Sequence, residues 1–176
     1  TSRNPAVLLK QAVTAAHVSN GRMVLGLGAG WRESEHRAYG IEYGSFADRF
    51  EKLEESLRII AALRSGERAT FDGKHYRLDD APLAPQPVGR LPILLGGGGE
   101  KKTLRMVAEY ADEWNVWSTP DVMVQKSAVL GEHCARLGRD PADIERSSVA
   151  LLFLVDTDAE ADKLRAHDFG RPSLIG

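Results

Sequence analysis

The residues best suited to chemistry stand at Gly96-Gly97-Gly98-Gly99, after the apolar run Pro92-Ile93-Leu94-Leu95 and before Glu100-Lys101-Lys102-Thr103. Glycines let the backbone take φ > 0 and bring N–H groups close to a ligand, and a following helix adds unpaired donors and the positive end of its dipole. The stretch therefore reads as an anion cradle suited to a phosphate. Neither common nucleotide motif fits it. The P-loop pattern needs glycine at Lys101, and the dinucleotide fingerprint placed on Gly96 and Gly98 also needs glycine at Lys101. The competing reading is a structural turn that packs a helix against a strand.

Other chemistry has weaker support. The five histidines (His17, His36, His75, His133 and His167) show no spacing of a metal site, so no metal is expected. No G-x-S-x-G elbow is present. The single cysteine, Cys134, excludes an internal disulfide and lies in the helical apolar series Met123, Ser127, Leu130, Cys134, Leu137, which predicts a buried thiol.

At 176 residues, 43% hydrophobic and 27% charged, the chain has the composition of an ordinary soluble domain. A net charge of −2 gives no general attraction for nucleic acid or anionic membrane, so neither is an expected partner. There is no apolar run of membrane-spanning length and no basic-then-apolar start, which makes a cytoplasmic location the expectation.

The elements around the glycines alternate between strand and helix. Asn4-Pro5 opens a helix that Ser19-Asn20-Gly21 stops. Met23–Gly28 reads as a strand buried on both faces, and it too ends in glycines, at Gly28-Ala29-Gly30-Trp31. A long polar and aromatic connection follows, through Glu35, His36, Tyr39 and Tyr43. Ser45 and Asp48 form a capping box for a helix to Gly66, whose apolar face is Phe46, Phe50, Leu53, Leu57 and Ile60. Asp72-Gly73 predicts a two-residue hairpin turn. Then come a strand at Leu91–Leu95, a helix from Glu100 to Tyr110, a strand at Trp114–Trp117, a helix to Leu137, a strand from Ser147 to Val155 and a helix to Ala166. Repeated βα units imply a parallel sheet, either open and doubly wound or half of an eight-unit barrel.

Several segments together resemble the bacterial luciferase-like monooxygenase family. They are Arg3–Lys10, Ser19–Arg22, Leu25–Trp31, Glu35–Gly40, Arg49-Phe50, Leu53–Glu55, Phe71–Gly73 with His75-Tyr76, Pro92–Gly99 and Ala111–Asn115. The resemblance implies a (β/α)8 TIM barrel, with residues 1–176 as a single barrel domain that lacks the first three βα units. It implies an oxidoreductase using coenzyme F-420, or closely FMN, for hydride transfer or monooxygenation of a small organic substrate, in a homo-oligomer.

By the same resemblance, Gly97, Gly98 and Gly99 would hold the cofactor phosphate with backbone N–H groups, and Thr103 would add a hydroxyl. Gly28, Gly30, Trp31 and Glu35 would lie toward the ring and the substrate mouth. Lys101, Lys102 and Arg105 would supply field, and His36 is a possible proton donor. No catalytic residue is assigned. A bulky β-branched residue at Gly98 is expected to weaken cofactor binding far more than folding. Two other readings keep the chain's features without redox chemistry: a barrel enzyme for a phosphorylated metabolite, and a cofactor-binding subunit without catalysis.

Overall fold

The computed structural model describes residues 3–167 and the backbone of residues 173–175. The chain divides into two compact units, Thr1–Leu94 and Leu95–Gly176.

In the first unit, the Asn4 side chain caps helix α1 (Pro5–Val18) by accepting from the Ala6 and Val7 amides. Left-handed Asn20 and Gly21 then turn the chain, and the Gly21 amide closes on the Ala16 carbonyl at 2.8 Å. Strand β1 (Leu25–Leu27) is shorter than the expected Met23–Gly28, and only Leu25 in it is buried. Its Leu25 amide donates to the Pro92 carbonyl at 2.8 Å. A short helix α2 (Glu33–Ala38) lies within the long polar and aromatic connection expected after Trp31.

Helix α3 (Phe46–Arg64) carries the expected capping box between Ser45 and Asp48. It packs on α1, burying Leu53, Leu57, Ile60 and Leu63 beside Leu9, Ala12, Val13 and Ala16. Phe46 departs from the expected apolar face: it is 61% exposed, and its ring stacks on Phe50 at the open first turn.

The hairpin has strands β2 (Ala69–Asp72) and β3 (Arg77–Ala81), with Asp72 paired to Arg77. Its loop is therefore Gly73–Tyr76, four residues rather than two. The reason is tertiary. Glu55 of α3 places its carboxylate inside the loop and accepts from the Lys74, His75 and Tyr76 amides at 2.8, 3.0 and 3.0 Å.

The second unit takes in the end of β4 (Ile93–Gly96), which neighbours β5 (Glu113–Trp117). Helix α4 (Thr103–Tyr110) starts three residues later than expected, because residues 100–102 form a turn that closes with the Leu104 amide on the Gly99 carbonyl. Helix α5 (Pro120–Leu137) ends on left-handed Gly138 and packs against α4. Arg139 donates to the Ala108 and Ala111 carbonyls at 2.9 and 2.7 Å, covering acceptors left open at the end of α4. Cys134 is buried as expected, and burial pushes its thiol up from the ordinary value.

The expected single strand Ser147–Val155 is two strands. β6 (Glu145–Val149) runs parallel to β5 up to the pair Trp117–Val149, where the Ser118 amide still donates to the Val149 carbonyl at 3.2 Å before the chain turns into the Pro120 helix start. β7 (Leu151–Phe153) pairs instead with β8 (Ser173–Ile175), also in parallel. Between them lies helix α6 (Asp158–Arg165). Among the described residues, no helix is long and apolar enough to cross a membrane.

Candidate functional site

The glycine loop of the second unit is fixed from beneath by hydrogen bonds to its carbonyls. The fully buried indole of Trp114 donates to the Gly97 carbonyl at 2.8 Å. The Lys126 ammonium donates to the Gly98 carbonyl at 2.8 Å, and the His133 Nε2 donates to the Glu100 carbonyl at 2.8 Å. The Gly97 amide goes to the Asn115 carbonyl at 3.0 Å. Among the described residues, no protein acceptor faces the amides of Gly98, Gly99, Glu100 and Lys101. Four successive N–H groups beside a helix start are an arrangement of donors chemically suited to an anion.

Thr103 opens α4 and is buried, with its hydroxyl against the loop: a Cβ on Gly99 would stand 3.0 Å from Thr103 Oγ1. Gly97 has φ +125, a conformation that side chains rarely tolerate. Gly98 is glycine for a different reason. A Cβ there would point inward, 2.9 Å from Val116 Cγ2 and 3.3 Å from Lys126 Cε. The structure thus gathers Gly97, Gly98, Gly99 and Thr103 as expected. It adds Trp114, Lys126 and His133, whose separation in sequence hid them. The one available signal was the α5 stripe Lys126, Leu130, His133, Cys134, which puts a lysine and a histidine on the helix's buried face. Arg105 pairs with Glu109 at 3.0 Å.

Gly28, Gly30, Trp31 and Glu35 lie together in the first unit. Gly30 is left-handed at φ +77, and the turn leaves the Trp31 indole 65% exposed. The Arg32 guanidinium covers one side of that ring at 4.6 Å, and Tyr43 Oη donates to the Trp31 carbonyl at 2.9 Å. Glu35 is paired with Arg32 at 3.3 Å, an exposed bridge. His36 Nδ1 donates to the Arg32 carbonyl at 3.0 Å, which makes Nε2 the acceptor nitrogen of the neutral ring. Its ring meets Tyr43 edge-on at 5.0 Å, and Arg49 stacks on the far side of Tyr43 at 3.8 Å. A shallow cavity of about 390 Å³ is lined by Arg3, Glu35, His36, Tyr39 and Ile41.

A third cluster was not anticipated. Asp48, Glu51 and His75 each offer a ligand atom within 4.8 Å of the others, although no histidine spacing suggested it. The cluster already holds a cation of its own: Lys74 Nζ lies 2.7 Å from Glu51 and 3.7 Å from Asp48. The Lys74 hydrogen bond holds the Glu51 carboxyl below its usual range and raises Lys74, and Ser45 does the same to Asp48 as Lys74 does to Glu51. The group clamps the hairpin to α3.

Comparison with known proteins decides the family. A family model described as luciferase-like monooxygenase matches residues 1–172. The chain belongs to that family. An F420-dependent glucose-6-phosphate dehydrogenase of Microbacterium testaceum (strain StLB037) is 29% identical over 166 residues, covering 92% of this chain and 49% of that protein. An FMNH(2)-dependent dimethylsulfone monooxygenase of Pseudomonas fluorescens (strain Pf0-1) is 27% identical over 173 residues, covering 92% and 47%. Among solved structures, an F420-dependent secondary alcohol dehydrogenase in complex with an F420-acetone adduct matches with a TM-score of 0.77 and 25% identity, over 92% of this chain and 50% of that one. The chain thus spans about half the length of these luciferase-like relatives, and its fold is α/β, that of half of their barrel.

Proposed function

We propose that this chain serves an oxidoreductase that binds a reduced flavin-type cofactor, coenzyme F-420 or FMN, with the phosphate at Gly97, Gly98, Gly99 and Thr103. The observation that carries the reading is the set of four amides from Gly98 to Lys101 that have no protein acceptor among the described residues, beside the hydroxyl of Thr103, a largely buried residue. A phosphate's oxygens fit donors of this kind.

When bound, such a cofactor supplies hydride transfer or oxygen chemistry, and the protein supplies binding and orientation. In this reading the amides fix the phosphate, and the α4 N-terminus adds favourable field. The exposed face of Trp31, presented by the turn at Gly28 and Gly30, offers a surface for a planar ring. Glu35 and His36 stand nearby in the same unit, and an imidazolium at His36 would donate its Nε2 proton toward a small organic substrate. Residues 1–176 belong in this reading to one luciferase-like barrel domain, in a cytoplasmic homo-oligomer; exposed Leu152 and Leu154 support an association surface.

Titration with oxidised and reduced F-420 and FMN, followed by fluorescence, tests the proposal. Binding tighter than about millimolar to at least one is expected, and no binding below that refutes it. Tight binding of sugar phosphates without any flavin would favour the phosphorylated-metabolite reading instead.

A further inference from the structure

We propose that Lys126 and His133 are positioning residues for the glycine loop, holding its peptides so that their N–H groups face an incoming anion; this rests on the phosphate reading above. In a planar trans peptide the C=O and the N–H of the next residue point in opposite directions. Lys126 draws the Gly98 carbonyl toward α5 at 2.8 Å, so the Gly99 N–H is turned away from α5. His133 draws the Glu100 carbonyl the same way at 2.8 Å, turning out the Lys101 N–H. Trp114 does so for the Gly98 N–H through the Gly97 carbonyl. These three outward amides all lack a protein acceptor among the described residues.

The α5 helix is suited to this task. Lys126 and His133 are seven residues apart, two turns along one face, and Leu130 and Cys134 on that face are fully buried. The tethers are thereby anchored in the core. Arg136 Nη1 lies 3.5 Å from His133 Nδ1, which marks Nδ1 as the acceptor and Nε2 as the protonated nitrogen. Lys126 has a second duty, since its ammonium also sits 3.3 Å from the Glu100 carboxylate and is only 20% exposed. It therefore offsets a negative charge at the cradle, and its charge-assisted bond to the Gly98 carbonyl polarises the peptide whose N–H points outward.

The experiment compares wild type with Lys126→Met, Lys126→Arg, His133→Leu and His133→Gln. It reads FMN and F-420 affinity by fluorescence, the thermal midpoint, and backbone order by 15N relaxation without ligand. Lys126→Met is expected to weaken cofactor binding about tenfold or more, the size of one lost charge-assisted bond, with Arg restoring it to within about threefold. In the free chain, order should fall from about 0.85 in wild type to below about 0.6 at Gly99 in Lys126→Met and at Lys101 in His133→Leu. Gln, which still donates, should behave as His at position 133, and Leu should not.

Unchanged affinity in Lys126→Met, with wild type binding, overturns the proposal. Should wild type bind neither cofactor, the phosphate reading fails, and unchanged loop order in Lys126→Met then overturns the positioning role separately. Should Lys126→Met lose its cooperative transition, the His133 pair decides: equal binding and order in Leu and Gln overturns the proposal, and loss in Leu alone supports it.

Discussion

Gly98→Ala is the substitution for which the structure gives the most definite expectation. The new Cβ would stand 2.9 Å from Val116 Cγ2. Carbon atoms pack best at about 3.5–4.0 Å, so the overlap is roughly 0.6–1.1 Å. The far end of Lys126 can yield, but neither the loop nor Val116 can easily do so. The Gly98 carbonyl is held by Lys126, the neighbouring Gly97 by Trp114 and Asn115, and Val116 is buried on β5. Overpacking of this kind costs about 1–3 kcal/mol.

Val116→Ala removes the opposing methyl and alone should cost about 1–3 kcal/mol through lost burial. Combined, the two should fall short of the sum by about 1–2 kcal/mol, because the alanine at 98 fills the space that Val116 leaves. Urea unfolding of the four chains measures this coupling. Additivity within about 0.5 kcal/mol would refute the inward direction of the Gly98 Cβ. The same geometry leads to a different outcome from the expectation that a bulky residue at Gly98 harms binding far more than folding. The side chain enters the packing between the loop and β5, so the two losses should occur together and Val116→Ala should relieve both.

Two further outcomes follow from the first unit. Glu55→Ala strips the acceptor from three successive loop amides and should destabilise the unit by about 2–4 kcal/mol, with Glu55→Gln intermediate; thermal unfolding at wild-type temperature would contradict the role assigned to that carboxylate. Asp48 and Glu51 have folded-state carboxyls held below their ordinary values of 3.8 and 4.5, so the unfolded chain binds more protons and stability falls as pH drops through and below those values. Lys74, raised above 10.5, keeps its charge up to strongly alkaline pH. Glu51→Gln should therefore flatten the acid limb of a pH–stability curve, and an unaltered limb would remove Glu51 from the account.

Much of the local structure was legible because its causes are local. Asn4-Pro5, the Ser45–Asp48 capping box and Gly138 set helix ends by satisfying backbone groups within a few residues, and α1, α3 and α5 lie where those signals put them. The anion-cradle reading of Gly96–Gly99 was legible for the same reason, since the absence of side chains is itself the signal. Four features were not. The hairpin loop is opened by a carboxylate 19 to 21 residues away, α4 starts late because of a turn closed at Gly99, the run Ser147–Val155 breaks where β5 runs out, and Phe46 sits on an open turn.

The sequence by itself determined where the glycines fall, which helices start and stop where, that Cys134 is buried, and the family to which the whole pattern belongs. Tertiary structure alone decided which way the loop's peptides face. That orientation depends on Trp114, Lys126 and His133, brought to the loop from 17, 28 and 33 residues away by β5 and α5. A glycine run permits many backbone conformations, and only hydrogen bonds from a separately packed strand and helix select the one that turns its donors outward.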